Sequence, residues 1–176
     1  MCEADFLPRI SNLDFYILED KQQVDELLSK GFELPPDLTV AEKRIAKGAK
    51  GFCFFVNRKL AHIGWVAMSE EAKSTIDPVP FKIDYANHEA CMGGSITIPK
   101  YQGQGLMTYC LYKRLKYLFD KGILITRNRI IKGNIPSEKV HAKFRGRIYA
   151  ELKYRKIMCF ETVKVSHLQS PIKLGN

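Results

Sequence analysis

Apolar and polar positions along this chain follow two periods, and the switches between them mark out the elements. LDFYIL at 13–18 is a short β-prone run, and Asp20 is placed to cap the helix-patterned KQQVDELLSK, which closes at Gly31. After the prolines at 35–36, Thr39 is expected to cap a second helix, VAEKRIAKGA, ended by Gly51. FCFFVNRKLAHIGWVAM then reads as two apolar strands separated by Asn57-Arg58-Lys59, a hairpin. The polar segment 69–88, with Pro78 and Pro80, is expected to be a long connection with a short strand at FKIDY.

EACMGGSITI at 89–98 is the next strand, and its Gly93-Gly94 pair points to a bulge or a close backbone approach. From Leu106 to Asp120 the spacing turns helical. Met107, Leu111, Leu115 and Leu118 share one face, Lys113, Lys116 and Asp120 the opposite one, and Gly122 stops the helix. ILITRNRII is a further strand, Asn134 opens a helix with Pro136 near its first turn, and RIYAEL and KIMCFETVKV are two last β-prone runs. The sequence contains no internal repeat and no low-complexity block.

The totals narrow the class. With 176 residues, 45% hydrophobic and 27% charged, the chain suits a single domain, drawn at 1–165 with 166–176 as a tail. No apolar run approaches a membrane span and the first residues do not have the layout of a secretory signal, so a cytoplasmic protein without a membrane partner is expected. The five cysteines (Cys2, Cys53, Cys91, Cys110, Cys159) show no metal-binding spacing and read as reduced thiols, most of them buried; no metal is expected. The net charge is +9 and unevenly spread. Residues 100–156 hold fifteen basic residues against three acidic, whereas 69–90 hold two basic against five acidic. An anion-binding half thus sits next to an acidic segment.

The stretch PKYQGQGLMT at 99–108 suggests which anion. A strand, a loop with closely spaced glycines and a helix aim backbone N–H groups at one point, where the positive end of the helix dipole also acts, and glycines let a phosphate approach the main chain. The loop is not a P-loop, because no Gly-Lys-Ser/Thr follows. Nor is it the dinucleotide fingerprint, which needs a third glycine and a regular βαβ setting. A bound diphosphate accounts for the second glycine.

TIPKYQGQGLM resembles the acyl-coenzyme A loop of the GNAT family of N-acetyltransferases, roughly V-x-P-x-Y-[QR]-x-x-G-x-[GA], with Thr97, Pro99, Tyr101, Gln102 and Gly105 in register. AHIGWVA is similar to that family's third strand through Gly64 and Trp65, and NIPSEKVHAKF to its N-x-x-A-x-x-x-Y helix through Asn134 and Ser137. The likeness runs from about residue 13 to 165. It implies an α/β (α+β) fold: a mixed, mostly antiparallel central sheet of six to seven strands, flanked by about four helices and splayed between the fourth and fifth strands. Two positions depart from the pattern. Met107 stands where the family has a small residue, and His141 where many members carry the tyrosine that protonates the departing thiolate.

The resemblance also implies direct transfer of an acetyl or other acyl group from acetyl-coenzyme A to a primary amine in a ternary complex. The backbone of Ser95, Ile96 and Thr97 would guide the pantetheine arm and supply the oxyanion donor. Gln102, Gly103, Gln104, Gly105, Leu106, Met107 and Thr108 would surround the diphosphate, and Asn134 and Ser137 would bond the pantetheine. His141 is the candidate acid, since an imidazole titrates near neutral pH. Glu89, on the strand face of Cys91, Gly93 and Ser95, is the candidate base, ahead of Glu70 and Glu71. The acidic 69–90 segment suits a cationic acceptor, a small-molecule amine or a lysine side chain, acted on by a monomer or homodimer. Alternatives are an acyl-thioester-binding protein of the same fold, an acyl-carrier-protein-dependent N-acyltransferase, and a basic nucleic-acid-binding module, which lacks a recognition-helix pattern here. A nucleic-acid partner is therefore not expected.

Overall fold

The computed structural model describes residues 2–34, 38–157 and 160–173, which fall into two compact units, Met1–Asn128 and Arg129–Asn176. The first is built on a five-stranded sheet: β1 (Leu13–Leu18), β2 (Lys50–Val56), β3 (Lys59–Ala67), β4 (Glu89–Thr97) and β5 (Ile125–Arg127), in that order across the sheet. Neighbours from β1 to β4 run antiparallel, and β4 and β5 run parallel. The hairpin between β2 and β3 turns on Asn57 and Arg58 alone, both in the left-handed region (φ 51° and 62°), so Lys59 already belongs to β3.

Three helices cover one face: α1 (Lys21–Ser29), α2 (Leu38–Ala46) and α3 (Glu70–Ile76). Their apolar positions, Val24 and Leu27, Ala41 and Ile45, Ala72 and Ile76, pack with Leu18, Cys53, Phe55, Ile63, Trp65 and Cys91 into the main core. The Asp20 carboxylate accepts the Gln23 N–H at 2.9 Å and starts α1 as its sequence implies. α2 departs from its expected limits. Thr39 lies within it rather than at its cap, because the helix has begun by Leu38, and it ends before Gly48 (φ 85°), where the Ala49 N–H returns to the Arg44 carbonyl at 2.9 Å. Gly51 is instead a strand residue, where a Cβ would stand 3.0 Å from the Trp65 ring. The two prolines at 35–36 lie outside the described residues.

The 69–88 connection also differs from expectation: it contains α3, capped by Ser69 through the Ala72 N–H, and no strand at FKIDY. Seven residues are too few to display a helical period, but the cap and the two glutamates of the first turn are its signature.

The other face carries α4 (Leu106–Asp120), with the limits its spacing implies. Leu106, Cys110, Leu111, Arg114 and Leu118 are buried, whereas Met107 and Leu115 are only half-buried. Gly64 permits the close approach. A Cβ there would stand 3.0 Å from both the Arg114 guanidinium carbon and Cys110 Sγ, so any larger residue would push α4 off β3.

The second unit holds α5 (Ile135–Lys143) and the antiparallel pair β6 (Arg147–Ile157) and β7 (Phe160–Lys173). KIMCFETVKV is therefore two strand ends rather than one strand, with residues 158–159 outside those described. The segment expected to trail off after residue 165 continues as strand to Lys173. Seven strands and five α-helices are thus present among the described residues, the strands grouped as five and two.

Candidate active site

The site is best followed along β4. Its pairing with β5 covers Glu89–Ile125, Ala90–Thr126 and Cys91–Arg127, after which β5 ends and β4 runs on to Thr97 paired, among the described residues, with β3 alone. The strands are splayed from Met92 onward. At the paired end Arg127 grips Glu89 with Nε on one carboxylate oxygen and Nη2 on the other, and the Asp84 N–H adds a bond of 3.0 Å. The Arg127 hydrogen bonds hold the buried Glu89 carboxyl below the usual carboxylate range, against the opposing effect of burial.

Along the free edge, pairing steps from Ile63–Ile96 to Trp65–Gly93, so that Gly94 and Ser95 lie opposite Gly64 in a bulge. Gly94 has φ 58°, and a Cβ on it would meet Trp65 Cδ1 at 3.0 Å, two reasons for glycine at this position. Ser95 and Ile96 are exposed beside it. Thr97 is fixed from behind by His62, whose Nδ1 lies 2.7 Å from Thr97 Oγ1. Burial, aided by the Arg114 charge, pushes His62 down to about 3, so this imidazole stays neutral. This brace has no local signature, because a histidine in an apolar strand looks the same whatever it touches.

After Thr97 a 3₁₀ turn (Pro99–Tyr101) leads to the loop, where the Gln102 side chain donates to the Thr97 carbonyl at 3.4 Å. Gly103 and Gly105 both occupy the left-handed region, with φ 75° and 86°. The glycines are therefore required by the backbone path itself as well as by access. The first helical bond of α4 is from the Tyr109 N–H to the Gly105 carbonyl. Among the described residues, the six N–H groups of 103–108 face no protein acceptor. Six consecutive unsatisfied donors at a helix start, two of them on glycine, fit a diphosphate in charge and in access.

On α5, Asn134 Oδ1 accepts the Ser137 N–H at 3.2 Å, so this side chain caps the helix. Ser137 is buried, and His141 is half-buried with Nδ1 2.8 Å from the Ser137 carbonyl. A carbonyl only accepts, so that bond makes Nδ1 the donor. The candidate residues are thus grouped as Glu89 with 95–97 and 102–108 on the first unit, and Asn134, Ser137 and His141 on the second.

The basic residues of α4 are engaged elsewhere. Arg114 is buried and donates to the Trp65 carbonyl at 3.3 Å, Lys113 pairs with Glu3 at 2.6 Å, and Lys116 pairs with Asp120 at 2.8 Å. The buried thiols are not nucleophiles: burial pushes Cys91 up to about 12, Cys110 to about 11, and Cys53 well above its ordinary value. Cys2 is exposed, and Cys159 lies outside the described residues. Among the described residues no helix is long and apolar enough to cross a membrane, and no His, Cys, Asp or Glu group is arranged to hold a metal.

Residues 17–146 match the model of the acetyltransferase (GNAT) family. The chain belongs to that family. As a GNAT protein it is an acetyltransferase that draws on a coenzyme A-based acyl donor, and this membership favours the enzymatic reading over a basic nucleic-acid module. No curated protein matches the sequence. Solved structures with the same fold include AAC(6')-Iy in complex with the bisubstrate analogue CoA-S-monomethyl-acetylneamine, at 12% identity and a TM-score of 0.56, covering 85% of this GNAT chain and 100% of that one. A Trypanosoma brucei acetyltransferase is similar at 17% identity and 0.53, with coverage of 82% and 99%. A GNAT-family acetyltransferase from Streptococcus pneumoniae is similar at 13% and 0.50, with coverage of 88% and 100%.

Proposed function

We infer that this protein transfers an acetyl group from acetyl-coenzyme A to a primary amine, of a small molecule or a lysine side chain, by direct attack within a ternary complex. The observation that carries this reading is the row of unsatisfied N–H groups at 103–108, set directly after the splayed edge of β4. Bound coenzyme A supplies the activated thioester. Backbone N–H groups of 103–108 hold its diphosphate, and the edge of Ser95, Ile96 and Thr97 orients the pantetheine and stabilises oxyanion charge. Gln102 and Gln104 flank the loop, and Asn134 and Ser137 serve the pantetheine arm.

His141 is the acid. With Nδ1 donating to the Ser137 carbonyl, the imidazolium offers its Nε2 proton to the thiolate. Glu89 has a different role from a base, because both its oxygens are bound by Arg127 and its pKa is lowered. We assign it to holding β4 and β5 together at the closed end of the splay, a positioning role. The acidic 69–90 segment supports a cationic acceptor only in part, since Lys73 is buried there, bonded to the Val79 carbonyl and paired with Glu70.

A thermal-shift titration tests the reading. Acetyl-coenzyme A at 100 times its dissociation constant is expected to add about 2.7 kcal/mol of stability, and a panel of primary amines should then release free thiol in proportion to acetylated product. Absence of any shift at millimolar ligand would overturn the donor assignment. Thiol release independent of amine would replace transfer by hydrolysis.

A further inference from the structure

The residues before β1 form a short strap along α4 and its loop. A 3₁₀ turn (Glu3–Phe6) brings Glu3 Oε1 to 2.6 Å from Lys113 Nζ, and the same oxygen accepts the Tyr109 hydroxyl at 2.6 Å. Phe6 stacks on Tyr112 with ring centroids 5.2 Å apart. Pro8 then passes so close to the loop that a Cβ on Gly105 would stand 3.4 Å from Pro8 Cα. Last, the Arg9 N–H donates to the Gln104 carbonyl at 2.9 Å. The strap is thus fastened at one end to the body of α4 and at the other to the loop whose N–H groups are unsatisfied.

We propose that residues 3–9 are part of the donor site: they set the path of the 103–108 loop and present the Arg9 guanidinium to the phosphates of the acyl donor. This role rests on the coenzyme reading above. Two observations select Arg9. Its side chain is exposed and makes no hydrogen bond or ion pair among the described residues, while its backbone is bonded to the middle of the loop. The cations that the sequence offered along α4 are unavailable to a phosphate, because Lys113 is neutralised by the strap's own Glu3, Lys116 by Asp120, and Arg114 is buried. The strap therefore masks one positive charge and delivers another at the loop. A guanidinium suits this position, since its planar fork bonds phosphate oxygens in pairs. The Gln104 carbonyl, held by the Arg9 N–H, cannot turn toward the anion, so the loop keeps its donors facing outward.

Calorimetric titration of the full chain with coenzyme A, dephospho-coenzyme A and pantetheine tests this, comparing the wild type with Arg9→Ala and Arg9→Lys. Arg9→Ala is expected to weaken coenzyme A binding about tenfold with unchanged melting temperature, and Arg9→Lys to recover part of the loss. Pantetheine, which has no phosphate, should show no difference between the variants. If the loss disappears with dephospho-coenzyme A, Arg9 serves the 3′-phosphate; if it persists, it serves the diphosphate. Phe6→Ala, which releases the strap, should lower coenzyme A affinity and make a further Arg9→Ala change nearly silent. Equal affinity of wild type and Arg9→Ala for coenzyme A would overturn the role of the strap alone. A wild type that binds no coenzyme A would remove the donor reading and this role with it.

Discussion

The two helices that carry candidate chemistry are held in opposite ways. α4 spans fifteen residues and buries seven of them, among them Leu106, Leu111, Arg114 and Leu118, against strands whose own side chains are almost wholly inside. Full burial of one such leucine contributes about 1.5–3 kcal/mol. α5 spans nine residues and buries only Ser137; Asn134 caps one end, and Glu138 reaches back to the Gly133 N–H. The loop proposed to bind the donor is thus mounted on the core, whereas the residue proposed as the acid sits on a short helix that buries little of itself. Affinity and turnover should therefore separate by residue: changes at 103–108 act on donor binding, a change at His141 on rate.

The largest effect should come from Gly105→Val. A β-branched residue at φ 86° costs roughly 1–2 kcal/mol in strain and its Cβ presses on Pro8, so the loop must change path. Coenzyme A affinity is expected to fall about hundredfold by calorimetry, with the fold retained by circular dichroism. His141→Phe comes next and sharpens the contrast from the other side. Turnover should drop about a hundredfold at saturating substrates while donor affinity stays within a factor of two. Equal losses in both would mean that His141 itself holds the donor rather than delivering a proton.

Glu89→Gln has a smaller and pH-dependent effect. The folded-state pKa of Glu89 lies below the ordinary value of 4.5, so its ion pair contributes stability that is present above that pH and lost as pH falls through the folded pKa. Chemical denaturation at pH 7 should show a loss of about 2 kcal/mol that shrinks as pH falls below 4.5 and through the folded-state pKa. Turnover should fall by less than tenfold; a loss of three orders of magnitude would restore Glu89 as the base. The smallest effect is expected for Asn134→Ala, about 1 kcal/mol confined to α5 and read as faster amide exchange there with α4 unchanged.

The split also explains what the sequence revealed. Elements with long periodic patterns and local signals were legible: α4 from Leu106 to Asp120, the Asn57-Arg58 turn, the Asp20 cap, and the glycine loop with its family likeness. α3 is hidden because seven residues cannot display a period, and Thr39, inside α2, shares its residue type with a true cap. Charge was the least legible feature. Fifteen basic residues between 100 and 156 look like one anion site, but Arg114, Lys113 and Lys116 are drawn off by burial and by partners as distant in sequence as Glu3. The His62–Thr97 brace and the strap were beyond reach for the same reason, since both consist of contacts between segments far apart in the chain.

The central claim is that the main-chain N–H groups of 103–108 bind the donor's diphosphate, and backbone amide resonances report on it directly. Titrating coenzyme A into labelled protein should move the Gly103, Gly105, Leu106, Met107 and Thr108 amides most and those of β1, at the far edge of the same sheet, least. Saturable binding that leaves the 103–108 amides in place would contradict the account.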